Sequence, residues 1–194
     1  GSQIDLCYPM LAKVTPKNKV THVINTLKQY TQTNYKGNLT TGLVGVPIIT
    51  QWATQAGEAE FMYSMLKKRD YPSYLYMIDN GATTTWEYWN GYRSRIHNCY
   101  NGIGSWFYEA LGGITPDEKH PGFEHVFIAP QYVDGLTHVK VSKPTPYGSI
   151  ASEWKVDGKV FTLSVSIPFG SSATVTLPGS NKKQTIKSGD YRFE

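Results

Sequence analysis

Near residue 120 the apolar residues of this chain change period, from the three-and-four spacing of helices to the two-residue alternation of strands. A chain patterned in this way must be α+β, with its helices first and its strands last. Val20, Val23, Ile24 and Leu27 recur at helical spacing, and Thr15-Pro16 before them can cap and start a helix over 16–35, stopped by Gly37. Ile48, Ile49 and Trp52 share the buried side of a second helix, 43–56, ended by Gly57. Ala59, Phe61, Met62, Met65 and Leu66 mark a third, closed by Tyr71-Pro72. A fourth is expected over 98–111, carrying Cys99, Ile103, Trp106, Phe107 and Ala110 up to Gly112-Gly113.

Turn residues crowd the change of period, in Thr115-Pro116-Asp117 and His120-Pro121-Gly122. The domain boundary is therefore placed there, giving parts 1–120 and 121–194. Beyond it Ile150, Ser152, Trp154 and Val156 alternate with polar residues, as do Phe161, Leu163, Val165 and Ile167 after Asp157-Gly158. The spacing predicts a hairpin with a type I′ turn at Asp157-Gly158, setting Trp154 opposite Phe161 and Ser152 opposite Leu163. One face of that hairpin is apolar, so a second sheet must cover it. Short strands at 126–128, 136–141, 173–177 and 185–193 supply a small antiparallel β-sandwich.

Composition removes several function classes. Hydrophobic residues make up 40% and charged residues 18%, which excludes a disordered chain. No apolar run approaches the roughly 20 residues of a spanning helix, so no membrane partner is expected. The net charge is +4, but Lys and Arg are scattered, so no nucleic-acid face is expected either. Cys7 and Cys99 leave two readings open, one bridge or two buried thiols. The chain opens Gly1-Ser2 without Met or an apolar leader, which reads as a cloning remnant on a piece of a longer protein. His120, Glu124 and His125 match no metal-ligand spacing and read as a hinge with exposed imidazoles, so no metal is assigned.

The densest stretch for chemistry is 81–91, Gly-Ala-Thr-Thr-Thr-Trp-Glu-Tyr-Trp-Asn-Gly, one carboxylate between tryptophans on a loop or short strand. Indole faces stack on the C–H faces of sugar rings and a carboxylate activates water. By itself, a lone Glu among aromatics is more often a solvated or hydrogen-bonded side chain.

Thr40-Thr41-Gly42-Leu43-Val44-Gly45-Val46-Pro47, then Arg69-Asp70-Tyr71-Pro72-Ser73, then Gly81-Ala82-Thr83-Thr84-Thr85-Trp86-Glu87 resembles, in order and spacing, the bacterial α-L-rhamnosidases of glycoside hydrolase family 78. His97 to Leu111 resembles the helix that follows in that family. Pro121-Gly122-Phe123, Pro146-Tyr147-Gly148-Ser149-Ile150 and Trp154 resemble its C-terminal sandwich. The resemblance implies part of an (α/α)6 catalytic barrel followed by a β-sandwich. It implies removal of terminal α-L-rhamnose from glycosides or polysaccharides with inversion, no cofactor, and an extracytoplasmic place. Glu87 matches the family's general base and His97 a histidine beside sugar and base. Trp86 and Trp89 are candidates for the sugar-facing wall, though strand alternation would put them on opposite faces and turn Trp86 toward the core. The general acid lies upstream in that family, and Asp5, Glu58, Glu60, Asp70, Asp79, Glu109, Asp117 and Glu118 do not match its motif. The chain therefore reads as a fragment, inactive alone, whose uncovered barrel helices should self-associate. The gap from Glu87 to His97 is shorter than the family's and contains Arg93 and Arg95, so the rim of the site should differ. The alternative is a non-catalytic, carbohydrate-binding β-sandwich.

Overall fold

The structure, a computed structural model, describes residues 2–194 apart from the side chain of Cys99, so that half of the bridge-or-two-thiols question lies outside the described residues. It resolves into two compact units, Gly1–Gly104 and Ser105–Glu194.

The first unit is helical. Helix α1 (Gln3–Leu11) opens with a capping box: Asp5 N–H donates to the Ser2 hydroxyl, and the Asp5 carboxylate accepts from Ser2 N–H. No helix is predicted here from periodicity, because Pro9 interrupts the pattern, yet Ser2-x-x-Asp5 is a legible start signal. A turn at Lys17–Lys19 leads into α2 (Val20–Tyr35), so Pro16 precedes the helix by a full turn and caps nothing with a side chain. Helices α3 (Gly45–Ala56) and α4 (Ala59–Leu66) fall close to expectation, with Ile49, Trp52, Phe61, Met62 and Met65 buried. A further short helix, α5 (Tyr74–Asp79), starts where the Ser73 hydroxyl accepts from Tyr76 N–H at 3.0 Å.

The long fourth helix predicted over 98–111 is not continuous. Asn98–Tyr100 forms one tight turn, α6 (Ile103–Trp106) a short helix, and Phe107–Leu111 a wider π-helical turn. Gly102 and Gly104 weaken helix propensity within this stretch, so the apolar period persists while the backbone changes pitch.

The second unit is a sandwich of two four-stranded sheets. One runs β1 (Ile114–Pro116), β2 (His125–Ile128), β6 (Ser172–Thr176), β7 (Lys183–Ile186); the other runs β3 (His138–Thr145), β4 (Gly148–Asp157), β5 (Val160–Ile167), β8 (Gly189–Phe193). All pairs are antiparallel except β2 with β6. Strand β1 is not predicted from the sequence because its three residues are too short to show a period, and the single strand expected over 185–193 is two strands paired into different sheets. Ile128, Ile150, Trp154, Leu163, Val165 and Val175 pack between the sheets. The Trp154 indole N–H donates to the Leu111 carbonyl at 2.8 Å.

The β4–β5 hairpin turns one residue later than predicted. Asp157 pairs with Val160, so the loop is Gly158-Lys159, and Trp154 faces Leu163 rather than Phe161 while Ser152 faces Val165 rather than Leu163. Of the two loop residues only Gly158 has positive φ, the pattern of a type II′ turn rather than I′. Because the register error is an even number of residues, every side chain keeps the face expected of it.

Candidate functional site

Hydrogen bonds from residues flanking the motif stretches, one buried and two partly buried, tie the stretches of the helical unit together. The Trp89 indole N–H donates to the Thr41 carbonyl at 3.0 Å, joining the loop before α3 to the aromatic loop after α5. Asn38 Nδ2 donates to Asp70 Oδ2 at 2.9 Å and to the Tyr71 carbonyl at 3.2 Å. That amide, with a lesser contribution from nearby lysines, holds the Asp70 carboxyl below its ordinary range. Arg69 pairs with Asp79 at the far end of α5, so Arg69-Asp70-Tyr71-Pro72-Ser73 clamps and caps this short helix.

Residues 84–97 form an irregular hairpin-like loop rather than a strand or a helix. Its arms are tied by Glu87 N–H to the Ser94 carbonyl and by His97 N–H to the Thr85 carbonyl, both at 2.9 Å. The Thr85 hydroxyl donates back to the His97 carbonyl, and that of Thr84 reaches the Arg95 carbonyl at 3.0 Å. A turn at its tip is closed by Gly91 N–H on the Tyr88 carbonyl.

Glu87 sits midway along one arm. Its side chain is 21% exposed, its Oε2 accepts from Ser94 N–H at 3.3 Å, and Arg93 Nη1 lies 3.9 Å from its Oε1. The flanking tryptophans do not present open faces. Trp89 is 7% exposed, stacks on Tyr100 with centroids 4.1 Å apart, and meets the edge of Tyr74 at 5.2 Å. Tyr74 in turn donates to the Tyr100 carbonyl at 2.7 Å, and burial pushes its hydroxyl well above the ordinary phenol range. Trp86 is 3% exposed, with the Arg95 guanidinium 5.0 Å from its ring centroid. Gly91, at φ 74°, passes so close that a Cβ there would meet the Trp86 ring at 2.9 Å. Both rings, expected to line the sugar-facing wall, are largely covered by protein in this structure, one on each side of Glu87 in the sequence. For Trp86 this is the core orientation that strand alternation allows; for Trp89 it arises because the loop is not extended.

His97, half-buried on the other arm, lines an open cleft of about 940 Å³ with Tyr74, Met77, Ile78, Thr84 and Asn101. Its imidazole makes no hydrogen bond among the described residues. Glu87 is not among the residues lining that cleft, so the loop joins the two residues through the backbone between its arms rather than through one cavity wall.

No cluster of three metal-ligating side chains occurs among the described residues. His120 and His125 are engaged locally instead: His120 Nδ1 contacts Asp117 Oδ2 at 2.8 Å, and His125 bridges the hydroxyls of Ser172 and Thr174 at 2.7 and 3.0 Å. Cys7 is a free thiol, buried, with its pKa pushed up to about 12 by that burial.

Residues 1–111 match the family model of the bacterial α-L-rhamnosidase 6-hairpin glycosidase domain, and residues 113–192 that of the bacterial α-L-rhamnosidase C-terminal domain. The chain belongs to the bacterial α-L-rhamnosidases. An α-L-rhamnosidase of Alteromonas sp. (strain LOR) is 35% identical over 182 residues, which are 81% of this chain and 20% of that protein. One from Formosa agariphila is 34% identical over 167 residues, 80% of this chain and 18% of that protein. The crystal structure of the α-L-rhamnosidase from Aspergillus terreus superposes with a TM-score of 0.91 at 28% identity, covering 99% of this chain and 24% of that one. The chain therefore spans about a fifth of the length of the curated relatives it matches. Its helical unit corresponds to part of a glycosidase domain and its strands to the C-terminal sandwich, the architecture expected from the sequence.

Proposed function

We propose that this chain carries the general-base half of an inverting α-L-rhamnosidase site, with Glu87 as the base. The observation that carries the reading is the placement of one carboxylate. Glu87 is the sole Asp or Glu from residue 80 to residue 108, and it lies in the stretch matched by the glycosidase-domain model. Two buried tryptophans and the cross-loop hydrogen bonds restrain it, while its carboxylate stays in reach of water. An ionised carboxylate so held accepts a proton from a water attacking the anomeric carbon. Inversion requires a second carboxyl about 6.5 to 9.5 Å away, on the opposite face of the sugar, to protonate the departing oxygen.

In this reading that acid is supplied by a part of the enzyme outside these residues, and His97 orients the water or a sugar hydroxyl from the facing arm. The substrate is a terminal α-L-rhamnoside of a glycoside or polysaccharide. Ile78 and Ile96, both well exposed, belong to the surface that the rest of such a barrel covers, and the chain alone self-associates through it. No helix among the described residues is long and apolar enough to cross a membrane.

The test is release of p-nitrophenol from its α-L-rhamnoside by this chain and by a version extended upstream to a complete barrel. Activity is expected only in the extended version, and Glu87→Gln there should lower kcat by about 100-fold or more. Equal rates for the extended enzyme and its Glu87→Gln variant would remove Glu87 from the chemistry.

A further inference from the structure

One residue fastens the arm that carries Glu87 to the arm that carries His97. Thr85, two residues before Glu87, accepts from His97 N–H on its carbonyl at 2.9 Å and donates from its hydroxyl to the His97 carbonyl. His97 is therefore gripped by both of its backbone polar groups, and by the same residue. Asn101 Oδ1, four residues after His97, lies 2.7 Å from the same hydroxyl. A hydroxyl has one proton and both of these oxygens can only accept, so the arrangement is satisfied when the Asn101 amide turns over and its Nδ2 donates to Thr85 Oγ1. Thr85 then donates once and accepts once, at the centre of a chain that runs from Asn101 to the His97 backbone. All three residues line the cleft described above.

We propose that Thr85 is a positioning residue, whose hydroxyl fixes the His97 arm against the Glu87 arm and so places the imidazole on the water or sugar hydroxyl that it orients. This rests on the reading of Glu87 as general base and His97 as its companion on the facing arm. A side chain on a loop is only as well placed as the backbone beneath it, and a displacement of about an ångström costs a reacting group much of its effect. Threonine suits the task because its branched Cβ restricts χ1, which sets the hydroxyl in place beforehand. Valine keeps that shape and removes the hydroxyl, leaving the His97 carbonyl and the Asn101 amide without it. Serine keeps the hydroxyl and gives up only the methyl group. The backbone bonds from Glu87 N–H to Ser94 and from His97 N–H to Thr85 remain in both variants, so the loop stays closed while its grip on the His97 carbonyl changes.

The experiment is steady-state hydrolysis of p-nitrophenyl α-L-rhamnoside by the enzyme extended upstream to a complete barrel. Thr85→Val should lower kcat about tenfold, the factor of one hydrogen bond, with KM changed by less than about twofold, while Thr85→Ser stays within about threefold of the parent. Because Thr85 acts through His97, Thr85→Val should cost less than about twofold once His97→Ala is already in place. A merely structural role gives the same loss in both backgrounds, and that result would overturn the proposal. So would a Thr85→Val enzyme as fast as the parent, a Thr85→Ser enzyme as slow as Thr85→Val, or a His97→Ala enzyme at the parental rate. If Thr85→Val does not fold, Asn101→Leu and Asn101→Asp put the question from the other end of the chain of bonds. Both should lower kcat, the aspartate more, because it sets a second acceptor against Thr85 Oγ1; parental kcat in both, or a faster aspartate than leucine variant, would overturn the arrangement. The general-base reading is judged separately by Glu87→Gln in the same enzyme: a parental rate there removes that reading, whereas a slow Glu87→Gln beside a fast Thr85→Val removes the role of Thr85 alone.

Discussion

Gln3 should be among the most costly residues in the helical unit to replace, although nothing in its sequence surroundings marks it. Its side chain is fully buried, and both ends of the amide are used. Nε2 donates to the Thr31 hydroxyl and the Asn38 carbonyl, each at 3.0 Å, while Oε1 accepts from Thr40 N–H at 3.0 Å and from the Thr40 hydroxyl at 3.1 Å. One side chain on α1 therefore fastens α2 to the loop that leads into α3. Gln3→Leu keeps most of the volume, so the cavity contribution is small. It leaves the Asn38 carbonyl and the Thr40 N–H without their partner, at about 1 to 3 kcal/mol for each stranded buried group. The expected loss is about 2 to 6 kcal/mol, a large fraction of a typical domain's stability. Urea denaturation followed by far-UV circular dichroism, at constant m, reads it directly. A Gln3→Leu chain within about 0.5 kcal/mol of the parent would refute the reasoning, since surface substitutions fall in that range. Gln3→Glu adds a sign. Burial, and the Asn38 carbonyl facing it, would raise the folded pKa of that carboxyl above its unfolded value of about 4.3. The variant then holds its proton more tightly when folded, so its deficit is smallest in acid and grows as pH rises from there.

Two further outcomes are expected in the sandwich. Glu153 accepts from Lys155 and His138 at 3.1 Å and Lys140 at 3.2 Å, and these hydrogen bonds, that of Lys155 foremost, lower its pKa to about 2. A depressed folded pKa contributes stability above the unfolded value of about 4.3 and loses it as pH falls toward about 2, so Glu153→Gln should flatten acid unfolding in that window; superimposable acid melts would count against the network. Gly113, at φ 73°, lies where a Cβ would overlap the Ala129–Pro130 backbone, so Gly113→Ala should cost about 3 kcal/mol or more, and a thermal midpoint unchanged within about 2 °C would show that the backbone yields there.

Much of the fold was legible because burial imposes a period. The apolar residues of α2, α3 and α4 and of the β4–β5 hairpin lie on the faces their spacing predicts, and a hairpin register wrong by two residues left those faces intact. What lacks a period was missed: α1 with its internal Pro9, the six residues of α5, and the three of β1. The capping patterns Ser2-x-x-Asp5 and Ser73 were the available signals for the two helices. At the candidate site, the Trp-Glu motif drew attention to Glu87, but the orientation of its tryptophans was not readable. In an irregular loop a side chain's direction is set by partners distant in sequence, here Thr41, Tyr74 and Tyr100 for Trp89.

The sequence by itself determined the order of helices and strands, the residues that must be buried, and the family to which the motifs belong. These properties rest on local spacing and residue type, which every stretch of chain carries with it. Only the tertiary structure decided that Gln3 is a core polar tie, that Trp86 and Trp89 are buried, and that Arg93 lies over Tyr88 and Tyr92 while Arg95 covers Trp86. Each depends on which distant groups meet, and a hydrogen bond or ring contact across many residues leaves no period in the chain that makes it.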